Sequence, residues 1–320
     1  MNIFPLRLIP HETNIDFMRL RWVSIGISVL LMVVAIGAIA SKGFNYALDF
    51  TGGTVVELRF EQPADVDGVR DRLEAAGHGS AQVQTFGSGS DLLIRLQPQD
   101  GSGAESNDRT AQEVARLAST PENPATIQRN EFVGPQVGKE LALNGIYAFV
   151  FVTIGFLIYI GFRFEWKFAV SAILTTMHDL VIVAGFFALT GKEFDLSVLA
   201  GLLSVMGFSI NDTIVVFDRV RENFRSSRGE PVEIFNRSIN QTLSRTIITS
   251  VVAFLTVLSL YLYGGNTLEG MALAMMIGIV IGTISSIFVA CPLLTVGPLT
   301  VSKQDLLPRS KDEEALARRP

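Results

Sequence analysis

The chain has 320 residues, 48% hydrophobic and 18% charged, with a formal net charge of −5 and a mean hydropathy of +0.38. That balance is too apolar for an ordinary soluble protein and makes lipid the expected solvent. The acidity is local: residues 42–140 carry 9 basic and 15 acidic side chains, with no basic stripe interleaved with aromatics, which argues against nucleic acid as a partner. The single Cys291 rules out an internal disulfide, and His11, His78 and His178 lack metal-ligand spacing, so no metal and no other cofactor is expected.

Six apolar runs are long enough to cross about 30 Å of hydrocarbon: 23–40, 141–162, 169–190, 196–217, 246–263 and 271–294. The first ends in Ala38-Ile39-Ala40, which resembles a cleavage site. Its 18 residues exceed the roughly 7 to 15 of a signal-peptide core, so an uncleaved anchor is expected. Lys and Arg gather beside the spans on one side: Arg19 and Arg21, Arg163 and Lys167, then Arg219, Arg221, Arg225, Arg228, Arg237 and Arg245. The short loops opposite offer only Lys192. The positive-inside rule then puts the termini, 1–22 and 295–320, in the cytoplasm and 41–140 outside, in the periplasm of a double-membraned bacterium.

The expected fold is therefore a six-helix integral membrane protein with an inserted α+β domain at 41–140. Its elements are a strand at Thr54–Phe60, a helix at Ala64–Ala76 burying Val66, Val69 and Leu73, strands at Ser80–Phe86 and Asp91–Gln97 around a hairpin turn at 87–90, a helix near Asp108–Ser119 with Val114 and Leu117 inward, and a strand at Ala125–Val133. The order βαββαβ is that of a ferredoxin-like domain. In the cytoplasmic segment 218–245, Val232, Phe235, Ile239 and Leu243 recur at helical spacing after Pro231, which predicts an amphipathic helix flat on the interface. The charged stretch Lys303–Pro320 has no apolar periodicity and is expected to be disordered.

Chemistry is concentrated where charge interrupts the spans. An Asp at the centre of a membrane helix costs about 2.5 to 3.5 kcal/mol on insertion scales, and Asp179 and Asp212 are the two candidates. At about 1.5 Å per residue, Asp179 lies about 15 Å and Asp212 about 8 Å from the cytoplasmic ends of their helices. Arg245, at the start of the fifth span, reaches the depth of Asp212 more easily. Asp212 with Arg245 is the preferred proton relay, since separating the pair would make the carboxylate take up a proton. The bland alternative is a fixed ion pair. Asp179 is a third relay candidate; with Ser171 and Thr175 it also fits plain interhelical hydrogen bonding. Asn211 and His178 are supporting residues, His178 as polar packing. Ser197, Gly201, Ser204 and Gly207 in the fourth span, and Gly278 and Gly282 in the sixth, would permit close helix approach. An intramembrane protease is disfavoured, because Phe208-Ser209-Ile210-Asn211, and no Gly-x-Gly run, precedes Asp212. No ATP-binding phosphate loop occurs.

Several stretches are similar to the SecF family of protein-export membrane proteins: Asp49-Phe50-Thr51-Gly52-Gly53-Thr54, Val133-Gly134-Pro135-Gln136-Val137-Gly138-Lys139-Glu140-Leu141, His178-Asp179, Ser209 to Asn223, and Ser244-Arg245-Thr246. The resemblance implies no enzyme activity, a bacterial inner-membrane location, SecD as a partner in a twelve-helix assembly, and work beside the SecYEG channel on a translocating preprotein, driven by protons. It places proton movement on Asp212 and Arg245. The motif Asp49, Phe50, Thr51, Gly52 and Gly53 is expected to fix the hinge between membrane and domain, or to be a turn that needs Gly. The competing readings are a small-molecule or lipid exporter of the resistance-nodulation-division type and a non-transporting assembly factor.

Overall fold

The computed structural model describes residues 13–302, apart from 80, 87–88, 98–103 and 227–228, together with Asp305. His11, part of the expected hairpin turn and most of the tail lie outside the described residues.

In chain order, a short turn at Phe17–Leu20 leads into α1 (Arg21–Lys42). Then come β1 (Asn45–Tyr46), a one-turn helix α2 (Leu48–Thr51), β2 (Gly53–Phe60), α3 (Val66–Ala75), β3 (Gln82–Phe86), β4 (Asp91–Leu96), α4 (Ala104–Ala118) and β5 (Ala125–Val133). The rest is almost wholly helical: α5 (Pro135–Arg163), α6 (Trp166–Thr190), a two-residue β6 (Glu193–Phe194), α7 (Leu196–Ser226), α8 (Pro231–Tyr263) and α9 (Asn266–Ser285). A π-helical turn, Ser286–Ala290, continues α9 into a last short turn, α10 (Cys291–Leu293). Pro292 explains the π turn: its ring and missing N–H are incompatible with regular α-helical bonding one turn back, and a widened turn absorbs the conflict.

The chain divides into two compact units. In the smaller, residues 46–148 with 193–196, β2 is central and antiparallel to both β4 and β5, and β3 flanks β4, giving the order β3-β4-β2-β5. Alternation in β2 buries Val56, Leu58 and Phe60 against Val69 and Leu73 of α3 and Ala111, Val114 and Ala118 of α4. Val66 and Leu117 are only partly buried, and α4 begins at Ala104, four residues before the expected start.

Among the described residues six helices are long and apolar enough to cross a membrane; they lie in the larger unit, apart from the first half of α5 and the first residue of α7, which belong to the smaller. They approach one another through small residues. A Cβ on Gly185 of α6 would lie 2.4 Å from that of Ala35 of α1. On α7 and α9, Gly201 faces Met271 and Ala274, Gly278 faces Val205, and Gly282 faces Ser209, so two four-residue ladders interlock. Of the expected small residues, Gly201 is in this contact, whereas Ser204 is exposed.

The segment from Pro231 does not form a separate helix lying flat on an interface. It opens α8 and runs unbroken into the fifth span. Pro231 is at the helix start, where proline is tolerated, and nothing after it breaks the helix. Its buried face is held by protein: Phe235 stacks edge-on with Phe224 of α7 at 5.5 Å, and Asn223 donates to Ser238 and Gln241 at 2.8 and 2.9 Å. Asn236 and Asn240 grip the segment before α1, accepting from Met18 N at 2.9 Å and Ile15 N at 3.0 Å.

Candidate functional site

Asp179 is completely buried at the centre of α6. Its Oδ2 accepts from Ser209 Oγ of α7 at 2.5 Å and from Ser285 Oγ of α9 at 2.7 Å. Its Oδ1 meets His178 Nδ1 at 2.9 Å. Three helices therefore converge on one carboxyl group, and Gly282 lets α9 approach Ser209, whose Cβ would lie 3.3 Å from a Cβ placed there. Two turns earlier on the same face, Ser171 Oγ donates to Ala290 O at 2.8 Å, meeting the π-helical turn, while Thr175 bonds back to Ser171 O. On this face Ser171 and Asp179 bond to other helices, whereas Thr175 bonds within its own. His178, expected as a polar packing residue, has its Nδ1 against this carboxylate.

Asp212, on α7 one turn beyond Ser209, is buried but poorly served. Ser250 Oγ of α8 stands 3.5 Å from Oδ2 and has a nearer acceptor, Thr246 O at 2.7 Å. Thr283 of α9 donates to the same Ser250 oxygen at 2.7 Å. Arg245 is exposed. Among the described residues no ion pair within 4.0 Å joins it to Asp212 or to any other carboxylate. Asn211 is exposed on the outer face of α7. The structure thus joins His178 to Asp179 and keeps Asp212 and Arg245 out of ion-pair contact. Ser209, Ser285, Ser250 and Thr283 were missed from sequence. The available signal was a hydroxyl within a turn of an intramembrane carboxylate, or on a Gly-marked face opposite one.

In the smaller unit, the Asp49 to Gly53 motif forms a compact joint. α2 ends at Gly52, whose N donates to Leu48 O at 2.8 Å. Gly52 and Gly53 have φ of +65° and +117°, a region that other residues rarely enter. A Cβ on Gly138 of α5 would lie 2.9 Å from Gly52 N, so two glycine motifs meet backbone to backbone. Asp49 Oδ2 accepts from Leu196 N at 3.2 Å, and the Phe50 ring lies 5.6 Å from Tyr46 and 6.1 Å from Phe194. Arg95 donates to Tyr46 O at 2.6 Å and pairs with Glu193.

No group of three or more metal-ligating side chains occurs among the described residues. Six membrane-length helices with carboxyl groups set among hydroxyls inside the bundle define a polytopic membrane protein with ionisable residues in its spans, an arrangement typical of transport machinery. Residues 113–297 match the family described as protein export membrane protein SecD/SecF, C-terminal, and residues 37–64 match the SecD/SecF GG motif. The chain is 44% identical to the protein translocase subunit SecF of Escherichia coli O157:H7, over 93% of this chain and 92% of that one. It is 45% identical to that of Pseudomonas aeruginosa over 93% and 96%. The crystal structure of SecDF from Thermus thermophilus, described as a translocon-associated membrane protein, superposes with a TM-score of 0.78 at 40% identity, covering 90% of this chain. This chain spans about two fifths of that protein's length, 39%. The chain belongs to the SecF family of protein-export membrane proteins.

Proposed function

We propose that the chain is an accessory subunit of the Sec protein translocase in the bacterial inner membrane, coupling proton movement through its spans to late translocation of a preprotein. Family membership carries the reading. The relatives named SecF match over nearly their whole length, and the solved neighbour is a longer, translocon-associated SecDF chain.

On this reading SecD supplies a second six-helix unit, SecYEG is the channel served, and lipid surrounds the remainder. Both termini are cytoplasmic. The 41–140 segment is a periplasmic, ferredoxin-like domain that holds the emerging polypeptide. Its strand order and two helices on one core support that class. The exposed Ser204, Asn211 and Arg245 support a partner, since polar groups within apolar spans seek a covering helix. Asp212, Arg245 and Asp179 form the proton path. No phosphate loop provides an ATP-driven alternative.

The test is Asp212→Asn, with export measured in membrane vesicles with and without a proton gradient. Gradient-stimulated export is expected to vanish while insertion and partner binding persist; unchanged stimulation overturns the relay.

A further inference from the structure

Asp179 and its neighbours account for more than a packing contact. Ser209 has one side-chain acceptor among the described residues, Asp179 Oδ2. Ser285 has two: Oδ2 at 2.7 Å, on a different helix, and Gly282 O at 3.1 Å, on its own. A hydroxyl carries a single proton, so Ser285 makes one of these bonds fully at a time. The choice depends on charge, because a hydroxyl bonds an ionised carboxylate about twice as strongly as a neutral acceptor.

The second observation is His178. Its residue surface is 8% exposed, its Nδ1 faces Asp179 Oδ1 at 2.9 Å, and its Nε2 is buried with no hydrogen-bond partner among the described residues. With Nδ1–H donating to the carboxylate, Nε2 holds an open lone pair. The dyad therefore has one unfilled basic position.

We propose that His178 and Asp179 form a second proton-binding station and that Ser285 converts its occupancy into a change of helix contact. A proton added at Nε2 lets the Nδ1 proton pass to Oδ1. One N–H bond forms, another breaks as the O–H bond forms, the imidazole ends neutral with its hydrogen on Nε2, and the carboxylate charge is cancelled. Oδ2 then loses its advantage as an acceptor, and Ser285 turns to Gly282 O. The tie between α6 and α9 opens while the tie from α6 to α7 through Ser209 stays.

Few other charges face this station. α7 carries Asp212, one turn from Ser209, and α8, packed on α9, carries Arg245, whose side chain is exposed. α1 has no titratable group between Arg21 and Lys42, and the sixth span and its π-helical turn have only the Cys291 thiol after Glu269. Within α6 itself, Lys167 is the nearest other charge. The station thus responds to its own proton and to the state of Asp212.

The inference rests on the proton-driven reading for its purpose, but its test needs no export. Infrared difference spectra of the full chain in lipid membranes, recorded across a pH change, follow the carboxylate band lost and the protonated-carboxyl band gained. Asp179→Asn is expected to remove one such pair of bands, and Asp212→Asn to leave that pair in place. Ser285→Ala is expected to shift the carboxylate band and leave the protonated band unmoved, with Ser285→Thr restoring the wild-type position. Bands that survive Asp179→Asn, or a Ser285→Ala variant that shifts both bands or neither, overturn the proposal. If the bands behave as expected while gradient-stimulated export is absent from the wild type, the station stands and the proposed function falls.

Discussion

Asp179 and Asp212 sit on neighbouring helices, both buried, yet they are built differently. Asp179 is held from three directions by two hydroxyls and an imidazole. Asp212 has a single long contact to a hydroxyl that is already engaged elsewhere. A carboxyl group satisfied on all sides contributes to the packing of the helices around it. One left with a weak partner contributes little to packing and is free to respond when a cation or a proton arrives. The difference gives the two groups different work: at Asp179 any change of charge is felt by the helices tied to it, whereas Asp212 can change charge with little effect on packing.

Removing each group separates these roles. Asp179→Ala strands the buried Ser209 hydroxyl and an imidazole and leaves Ser285 only Gly282 O, and is expected to lower stability by about 3 kcal/mol, since a hydrogen bond to a charged group contributes about 1.5 to 3. Asp212→Ala, losing one 3.5 Å contact, is expected to cost no more than about 1 kcal/mol. Thermal unfolding of the two variants in the same detergent measures the gap. Equal losses would show that both carboxyl groups are structural, and would collapse the comparison.

A second variant sharpens the same contrast through the backbone. The Asp179 cluster needs α7 and α9 at the distance set by Gly278 and Gly282, and a Cβ on Gly278 would already lie 2.1 Å from Val205 Cγ2. Gly278→Val therefore overpacks the ladder and is expected to destabilise by about 2 kcal/mol. It should also lengthen the Ser285–Asp179 contact, visible as a shifted carboxylate band. Gly155→Val on α5, where nothing lies within 4 Å of the new Cβ, is expected to stay within about 0.5 kcal/mol of wild type. A Gly278→Val protein as stable as Gly155→Val would mean that the helices tolerate separation.

How much of this was legible in sequence follows the range of the interactions. The spans and the βαββαβ order are local periodicities; the strands lie within a few residues of the expected ones, whereas the helices that hold the fourth and fifth spans extend to Ser226 and start at Pro231. Asp179 and Asp212 stand out because charge is costly in lipid. The partners of Asp179 do not: Ser285 lies 106 residues away, and a serine in an apolar helix looks like any other until a facing glycine is known. Depth pairs Arg245 with Asp212, yet depth fixes one coordinate of three, and the Arg245 side chain is exposed on α8. The segment after Pro231 misled for a related reason. Amphipathic spacing says that a face is covered without saying whether lipid or protein covers it, and here it is α7 and the chain before α1.

The smallest expected effects come from carboxylates outside the spans that, unlike Asp179 or Asp212, do have cation partners. Partial burial pushes the Glu193 carboxyl above its ordinary value of 4.5, and Arg95 pulls it only part of the way back. Asp305 shifts the other way, held below its ordinary 3.8 chiefly by the hydrogen bond from Lys167, at 2.8 Å. The signs oppose. With its folded value raised, Glu193 contributes stability that is fully present below its unfolded value and is lost as pH rises through the folded one. With its folded value lowered, Asp305 contributes stability present above its unfolded value and lost as pH falls through the folded one. The Glu193 side chain is 41% exposed and that of Asp305 29%, so water screens both and each effect should fall below about 1 kcal/mol. Melting temperatures of the full chain across the acid range should therefore change slope in opposite directions in Glu193→Gln and Asp305→Asn. Slopes that change together would mean that a cation partner alone sets the sign and that burial of Glu193 is immaterial. Opposite changes would extend to these paired groups the contrast drawn within the bundle, in which the surroundings of a carboxyl group, more than its depth, decide what it does.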